Sequence, residues 1–202
     1  MIEIIEDASP YFVRLKHPGL EDVIDKCLFY IKEQKFGDKG FTHYRFSVEQ
    51  ARDILATIPF KDAFVFSIKR VSLFVTAPGH YYRAHKDGFD HRFSVNYTVK
   101  ILDDKCVTSW YSDKDLEEYD VESPLNKASG SRECEGFEKS KYQPIKTMTA
   151  KPGECILFNT DIFHDFDNSQ SANQRIVLTL REFEPGKIYF EDAKARILNT
   201  GR

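Results

Sequence analysis

The chain has 202 residues, of which 41% are hydrophobic and 14% aromatic, with 17 Phe and 10 Tyr. That is enough bulky apolar area for a packed core and excludes a disordered chain. A formal net charge of −3 argues against a protein whose main task is to grip nucleic acid, because phosphate binding needs clustered Lys and Arg. The longest apolar runs stop well short of the ~20 residues of a membrane span, and the acidic N-terminus is unlike a signal peptide, so the expectation is a cytoplasmic protein. Four cysteines, at 27, 106, 134 and 155, are too far apart for a zinc knuckle or redox dithiol and read as free structural thiols.

The first third, residues 1–61, reads as helical support. Glu21 to Lys35 carries a helical apolar stripe (Val23, Ile24, Cys27, Leu28, Ile31) expected to end near Gly37. Ser47 to Thr57 reads as a second helix, with Ser47 as N-cap and Gln50 three residues on, the spacing of a capping box. From Asp62 the texture becomes β-branched and aromatic. Strands are expected over Phe64 to Ile68, Val71 to Ala77, Arg92 to Leu102, Val107 to Tyr111, Cys155 to Phe158 and Arg175 to Phe183. Several short strands after two helices suggest a mainly β sandwich or barrel of the jelly-roll kind, backed by N-terminal helices. One domain over 1–202 is expected: a β core over 62–183 and a C-terminal tail over 184–202.

Residues 112–145 stand apart as an insertion in that core. Nine acidic residues against five basic ones give the segment a local charge of −4 without a clear period. Segments of this length are commonly functional lids, and the charge would favour a cationic or basic-peptide substrate.

The chemistry concentrates around Pro78 to Gly88. His85 and Asp87 are two apart, so in extended backbone their side chains leave on one face and can converge on one ion. Such a pair is common by composition, and its weight comes from what lies downstream. His164 opens a later strand, and Arg175 follows eleven residues beyond, sharing a face with Val177, Thr179 and Arg181. Two histidines and a carboxylate form the facial set that suits non-heme Fe(II), and an arginine in the same cavity offers a fork for a carboxylate. In Arg92 to Leu102, Phe93, Val95, Tyr97 and Val99 alternate with Arg92, Ser94, Asn96 and Thr98, a packed face against a polar wall. His80 and His91 read as bystanders near the site, and Trp110 and Tyr111 as packing residues. A metal-binding jelly-roll enzyme of the cupin type, using no oxoacid, is an alternative that leaves Arg175 without a purpose; a binding module with a vestigial site is another.

The runs VSLFVTAPGHYYRAHKDG, RFSVNYTVKI, GECILFNTDIFHDFDN and QRIVLTL, within residues 64–183, resemble the 2-oxoglutarate- and Fe(II)-dependent oxygenase superfamily, particularly its prolyl-hydroxylase-like and aspartyl-hydroxylase-like branches. Two features depart from the family pattern: the 79-residue gap from His85 to His164, which the acidic insertion lengthens, and Val177, where some branches carry a hydroxyl. The resemblance implies a double-stranded β-helix holding Fe(II) through His85, Asp87 and His164. It implies 2-oxoglutarate bound at the iron with its far carboxylate on Arg175, and Tyr82, Asn96 and Thr179 are candidates for a second contact to it. Dioxygen is the further co-substrate and ascorbate a candidate reductant. The implied reaction releases succinate and CO2 and hydroxylates an amino acid side chain, free or in a polypeptide, with Arg92 a candidate substrate contact. The oligomeric state is not legible.

Overall fold

The computed structural model describes residues 1–88, 92–119, 132–182 and 187–200. Two antiparallel sheets face each other in a jelly-roll. The major sheet runs β1 (Glu3–Ala8), β2 (Phe12–Lys16), β10 (Cys155–Asn159), β6 (Phe93–Lys100), β12 (Arg175–Leu180), β4 (Ser72–Thr76) and β3 (Phe41–Arg45), in that spatial order. The minor sheet runs β8 (Arg132–Glu133), β5 (Tyr81–Lys86), β11 (His164–Asp167), β7 (Val107–Trp110) and β9 (Lys146–Thr149).

Alternation sorts the two faces of the major sheet. Val95 and Tyr97 of β6, Leu178 and Leu180 of β12 and Leu73 of β4 turn outward, under helices α1 (Leu20–Ile31), α2 (Val48–Ala56) and α3 (Phe190–Asn199). These residues and the helical stripe Val23, Cys27 and Ile31 form one buried cluster. The opposite face (Asn96, Thr179, Arg175) looks toward the minor sheet and stays polar. One end of the space between the sheets is closed by Phe12, Trp110, Met148, Ile156 and Phe158, with Trp110 stacked on Phe12 at 5.3 Å between centroids. Trp110 and Tyr111 are thus core residues, at 0% and 1% exposure.

Several expectations need correction. Residues 1–61 are not simply helical, since β1, β2 and β3 lie there. β1 and β3 are the two edges of the major sheet and alternate only between half-buried and exposed positions, so they lack a strong apolar signature. The first helix ends at Ile31, where its stripe of buried residues stops. Phe64 to Ile68 is no strand: it passes between two 3-10 turns, with an isolated bridge from Phe66 to Glu182. The tail over 184–202 includes α3, whose Phe190, Ala193 and Ile197 join the main core. Phe183, His91 and residues 120–131 of the acidic insertion lie outside the described residues.

The flanks of that insertion are docked. β8 pairs with β5, setting Glu133 opposite His85, and Leu116, Cys134 and Phe137 pack with Ala84, Tyr111 and Phe163 on the outer side of the minor sheet. Among the described residues, no helix is long and apolar enough to cross a membrane.

Candidate metal centre and oxoacid site

Pairing of β11 with β5 collapses the 79-residue gap: His164 and His85 are direct cross-strand partners. Their rings lie 4.4 Å apart, centroid to centroid. Asp87 follows one residue after β5 ends, and its backbone N–H donates to the Thr160 carbonyl at 3.2 Å. Gly88 beyond it adopts φ +85°, a left-handed turn that a side chain would strain. Candidate ligand atoms of His85, Asp87 and His164 all lie within 4.8 Å of one another.

The imidazoles are already oriented. His85 Nδ1 lies 3.0 Å from the Arg83 carbonyl, and His164 Nδ1 lies 2.8 Å from that of Ile162. A backbone carbonyl can only accept, so each Nδ1 carries the proton and each Nε2 keeps its lone pair for a metal. Burial, reinforced by the neighbouring His85, pushes the His164 pKa down to about 3, which keeps this imidazole neutral. Neutral imidazoles and a carboxylate in a cluster open on one side fit a divalent iron that must retain free coordination positions.

Behind His164, Asp165 is fully buried. It accepts hydrogen bonds from the Tyr111 hydroxyl at 2.7 Å, the Tyr81 hydroxyl at 3.2 Å and the Ser109 amide at 3.0 Å. These bonds tie β11 to β5 and β7 on the side opposite the cavity. Asp165 thus fixes the strand that presents His164, a role the sequence did not reveal.

The three ligands open into a cavity of about 390 Å³ between the sheets, large enough for more than one small ligand. Arg175, Thr179, Asn96 and Tyr82, all expected at the site, line it. Asn96 and Thr179 are register partners on β6 and β12, and Asn96 Oδ1 is buried with no hydrogen-bond partner among the described residues. Val177 also lines the wall and supplies no hydroxyl. Tyr82 stands edge-on to His85 at 4.7 Å, and its hydroxyl lies 3.4 Å from a Glu133 oxygen.

The two arginines of β12 and its end differ in one decisive respect. Arg181 donates to Asp87 Oδ2 at 2.8 Å and is thus committed to the metal carboxylate. Arg175 is 6% exposed, and its side chain makes no hydrogen bond or ion pair with any described residue; its guanidinium overlies the Phe166 ring at 4.9 Å. A guanidinium held in this way can pair with an anion that enters the cavity.

Arg92 is the correction among the expected site residues. It does not line this cavity; it pairs with Asp161 at 2.9 Å and overlies the Tyr189 ring at 4.4 Å, beside the start of α3. It stands one residue before β6, where the strand alternation does not yet fix its direction. His80 is likewise outside the lining. Phe41 and His43, which line the cavity beside Phe74 of β4, lie on β3, an edge strand without an apolar signature in the sequence.

No protein-family model matches the sequence, and no curated protein is detectably similar to it. Solved structures do match. The epimerase SnoN, in complex with Fe3+, alpha ketoglutarate and nogalamycin RO, superposes with a TM-score of 0.52 over 88% of this chain and 82% of its own, at 10% identity. HygX from Streptomyces hygroscopicus, with nickel, 2-oxoglutarate and hygromycin B bound, gives a TM-score of 0.54 over 85% and 83%, at 9% identity. The chain shares their fold. This jelly-roll, or double-stranded β-helix, is the architecture expected from the strand pattern, and identity this low extends the likeness no further than the fold.

Proposed function

We propose that this protein is a non-heme iron oxygenase that uses 2-oxoglutarate as co-substrate and hydroxylates an amino acid side chain, free or in a polypeptide. The observation that carries the reading is the buried, unpaired guanidinium of Arg175 in the same cavity as the His85, Asp87 and His164 cluster. An enzyme that needed only the metal would have no use for that charge, which disfavours a cupin-type reaction without an oxoacid. SnoN and HygX, which share the fold, hold an oxoacid and a metal, in keeping with this reading.

His85, Asp87 and His164 would hold the iron, which with 2-oxoglutarate and dioxygen supplies the oxidant for a C–H bond, the oxoacid leaving as succinate and CO2. The chain's own residues set the stage. Arg175 grips the far carboxylate of the oxoacid, and Asn96 and Thr179 stand beside it as hydrogen-bonding groups. Arg181 holds the Asp87 carboxylate in place while one of its oxygens remains directed at His85, 3.7 Å from Nε2. Phe158 and Phe166 line the inner wall and limit water there.

Two measurements test the reading. The iron-loaded chain should bind 2-oxoglutarate and release succinate. Arg175→Met should weaken 2-oxoglutarate binding about 10- to 150-fold, the loss of a charge-assisted contact of ~1.5–3 kcal/mol, while metal content stays unchanged. Undiminished affinity in Arg175→Met would remove the anchor, and no succinate under any condition would remove the oxygenase.

A further inference from the structure

We infer that the cavity mouth is a stacking shelf for a planar aromatic or heteroaromatic ring, and that the group oxidised belongs to, or adjoins, such a ring. The inference rests on the oxygenase reading for the chemistry and on a separate part of the cavity for the recognition. Four rings make a continuous run along its rim. Tyr82 on β5 meets Phe41 on β3 at 5.4 Å, Phe41 stacks on Phe74 of β4 at 5.2 Å with 23° between planes, and Phe74 stacks on His43 at 4.8 Å with 6° between planes.

Position and exposure distinguish this run from core packing. Phe41 and His43 lie on the edge strand of the major sheet and are exposed, Phe41 at 38%, yet both line the cavity that contains the metal cluster. Phe41 and His43 are each stacked on Phe74, and the ring surface they keep exposed beside the metal cluster is apolar area that a further ring, extending the stack, would desolvate. Burial, then the charges of Arg45 and Arg181, lower the His43 pKa, so it offers a neutral face rather than a cation.

Two rings of the shelf, Tyr82 and Phe74, also reach the metal-site residues. Tyr82 stands against His85, while the Arg181 guanidinium overlies Phe74 at 5.6 Å and holds Asp87. A ring added to the stack at Phe41 would lie next to Tyr82 and, through it, next to His85. An aliphatic chain would fill the same space without using the parallel faces, and this difference makes the inference testable.

The test uses the full chain loaded with Zn(II) and 2-oxoglutarate, with naphthalene-2-carboxamide and its saturated counterpart decahydronaphthalene-2-carboxamide as neutral probes, followed by ligand-observed saturation-transfer NMR. The aromatic probe should bind at least fivefold more tightly. Phe41→Leu, which keeps apolar bulk, should erase that preference, Phe41→Trp should retain it, and His43→Ala should reduce it. Equal binding of the two probes, no binding of either at millimolar concentration, or a preference that survives Phe41→Leu would overturn the shelf. The two readings fail separately. Succinate release without ring preference leaves the oxygenase and removes the shelf; ring preference without 2-oxoglutarate binding in wild type does the reverse.

Discussion

At the scale of single residues, the site is defined by which partners are satisfied by the protein and which are not. Both ligand histidines spend Nδ1 on a carbonyl two residues earlier in the chain, so their orientation is built into local backbone and survives without a metal. Their substitution should therefore remove a donor without collapsing the sheet. His85→Ala and His164→Ala are each expected to lower bound iron, by elemental analysis, to a tenth or less of wild type, since a three-ligand site has no spare protein donor. Full iron occupancy in either variant would place the metal elsewhere. A different buried histidine adds its own share to the response to acid. His17 is 4% exposed, with Nδ1 2.8 Å from the Pro18 carbonyl and Nε2 3.0 Å from the Tyr97 hydroxyl, and burial lowers its pKa. As pH falls through ~6.5 the unfolded chain takes up a proton at this histidine that the folded chain refuses, so stability present above that pH is lost below it, with a slope of up to ~1.4 kcal/mol per pH unit. His17→Gln, which cannot titrate, should show a shallower fall between pH 6.5 and 5 in urea titrations. An identical slope would mean that His17 is protonated in the fold.

At the scale of elements, α2 shows local sequence information at full strength. The Ser47 hydroxyl accepts from the Gln50 amide at 3.2 Å, and the Gln50 side chain accepts from the Ser47 amide at 3.0 Å, the reciprocal capping box that the spacing predicts. Ser47→Ala should cost about 1 kcal/mol and lower the melting temperature by roughly 2–4 °C. A variant as stable as wild type would show that packing of Ala51 and Ile54 alone holds the helix. The same contrast explains what could be read from the chain. β6 and β12 were legible because one face of each packs under helices and carries an unbroken apolar alternation, and β10 because it is a continuous apolar run buried on both faces. β3 and β1 were not, because an edge strand leaves its polar residues to solvent, and the pairing of β3 is decided by β4, far along the chain. The three metal ligands were legible as residue types, yet their convergence depends on the β5–β11 register, and the shelf depends on β3. Arg92 illustrates the opposite error: a residue placed by strand alternation just outside the strand is free to turn toward Asp161.

At the scale of the whole molecule, the acidic insertion interrupts the jelly-roll between β7 and β9, and its described flanks are part of the structure. Phe137 stacks on Tyr142 at 5.1 Å and meets Tyr111 edge-on at 5.2 Å. Lys139 pairs with Asp167 at 2.6 Å and lies 3.6 Å from the buried Asp165. Glu133 enters the cavity wall through β8. A segment that covers the outer side of the strands bearing His85 and His164 contributes to their rigidity as well as to the cavity rim. Removing Phe137 alone, as Phe137→Ala, should cost about 3 kcal/mol, hence roughly 6–12 °C in melting temperature for a chain of this size. Replacement of residues 114–143 by a short Gly-Ser linker removes β8, Leu116, Cys134 and Phe137 together and exposes Tyr111 and Phe163, so its melting temperature should fall by more than that of the single variant. At a temperature where the shortened chain remains folded, metal should still bind, because no ligand is lost, while coupled substrate oxidation should drop relative to 2-oxoglutarate decarboxylation. A linker variant that melts within 2 °C of wild type and keeps its coupling would show that the insertion is a surface appendage with no part in holding or bordering the site.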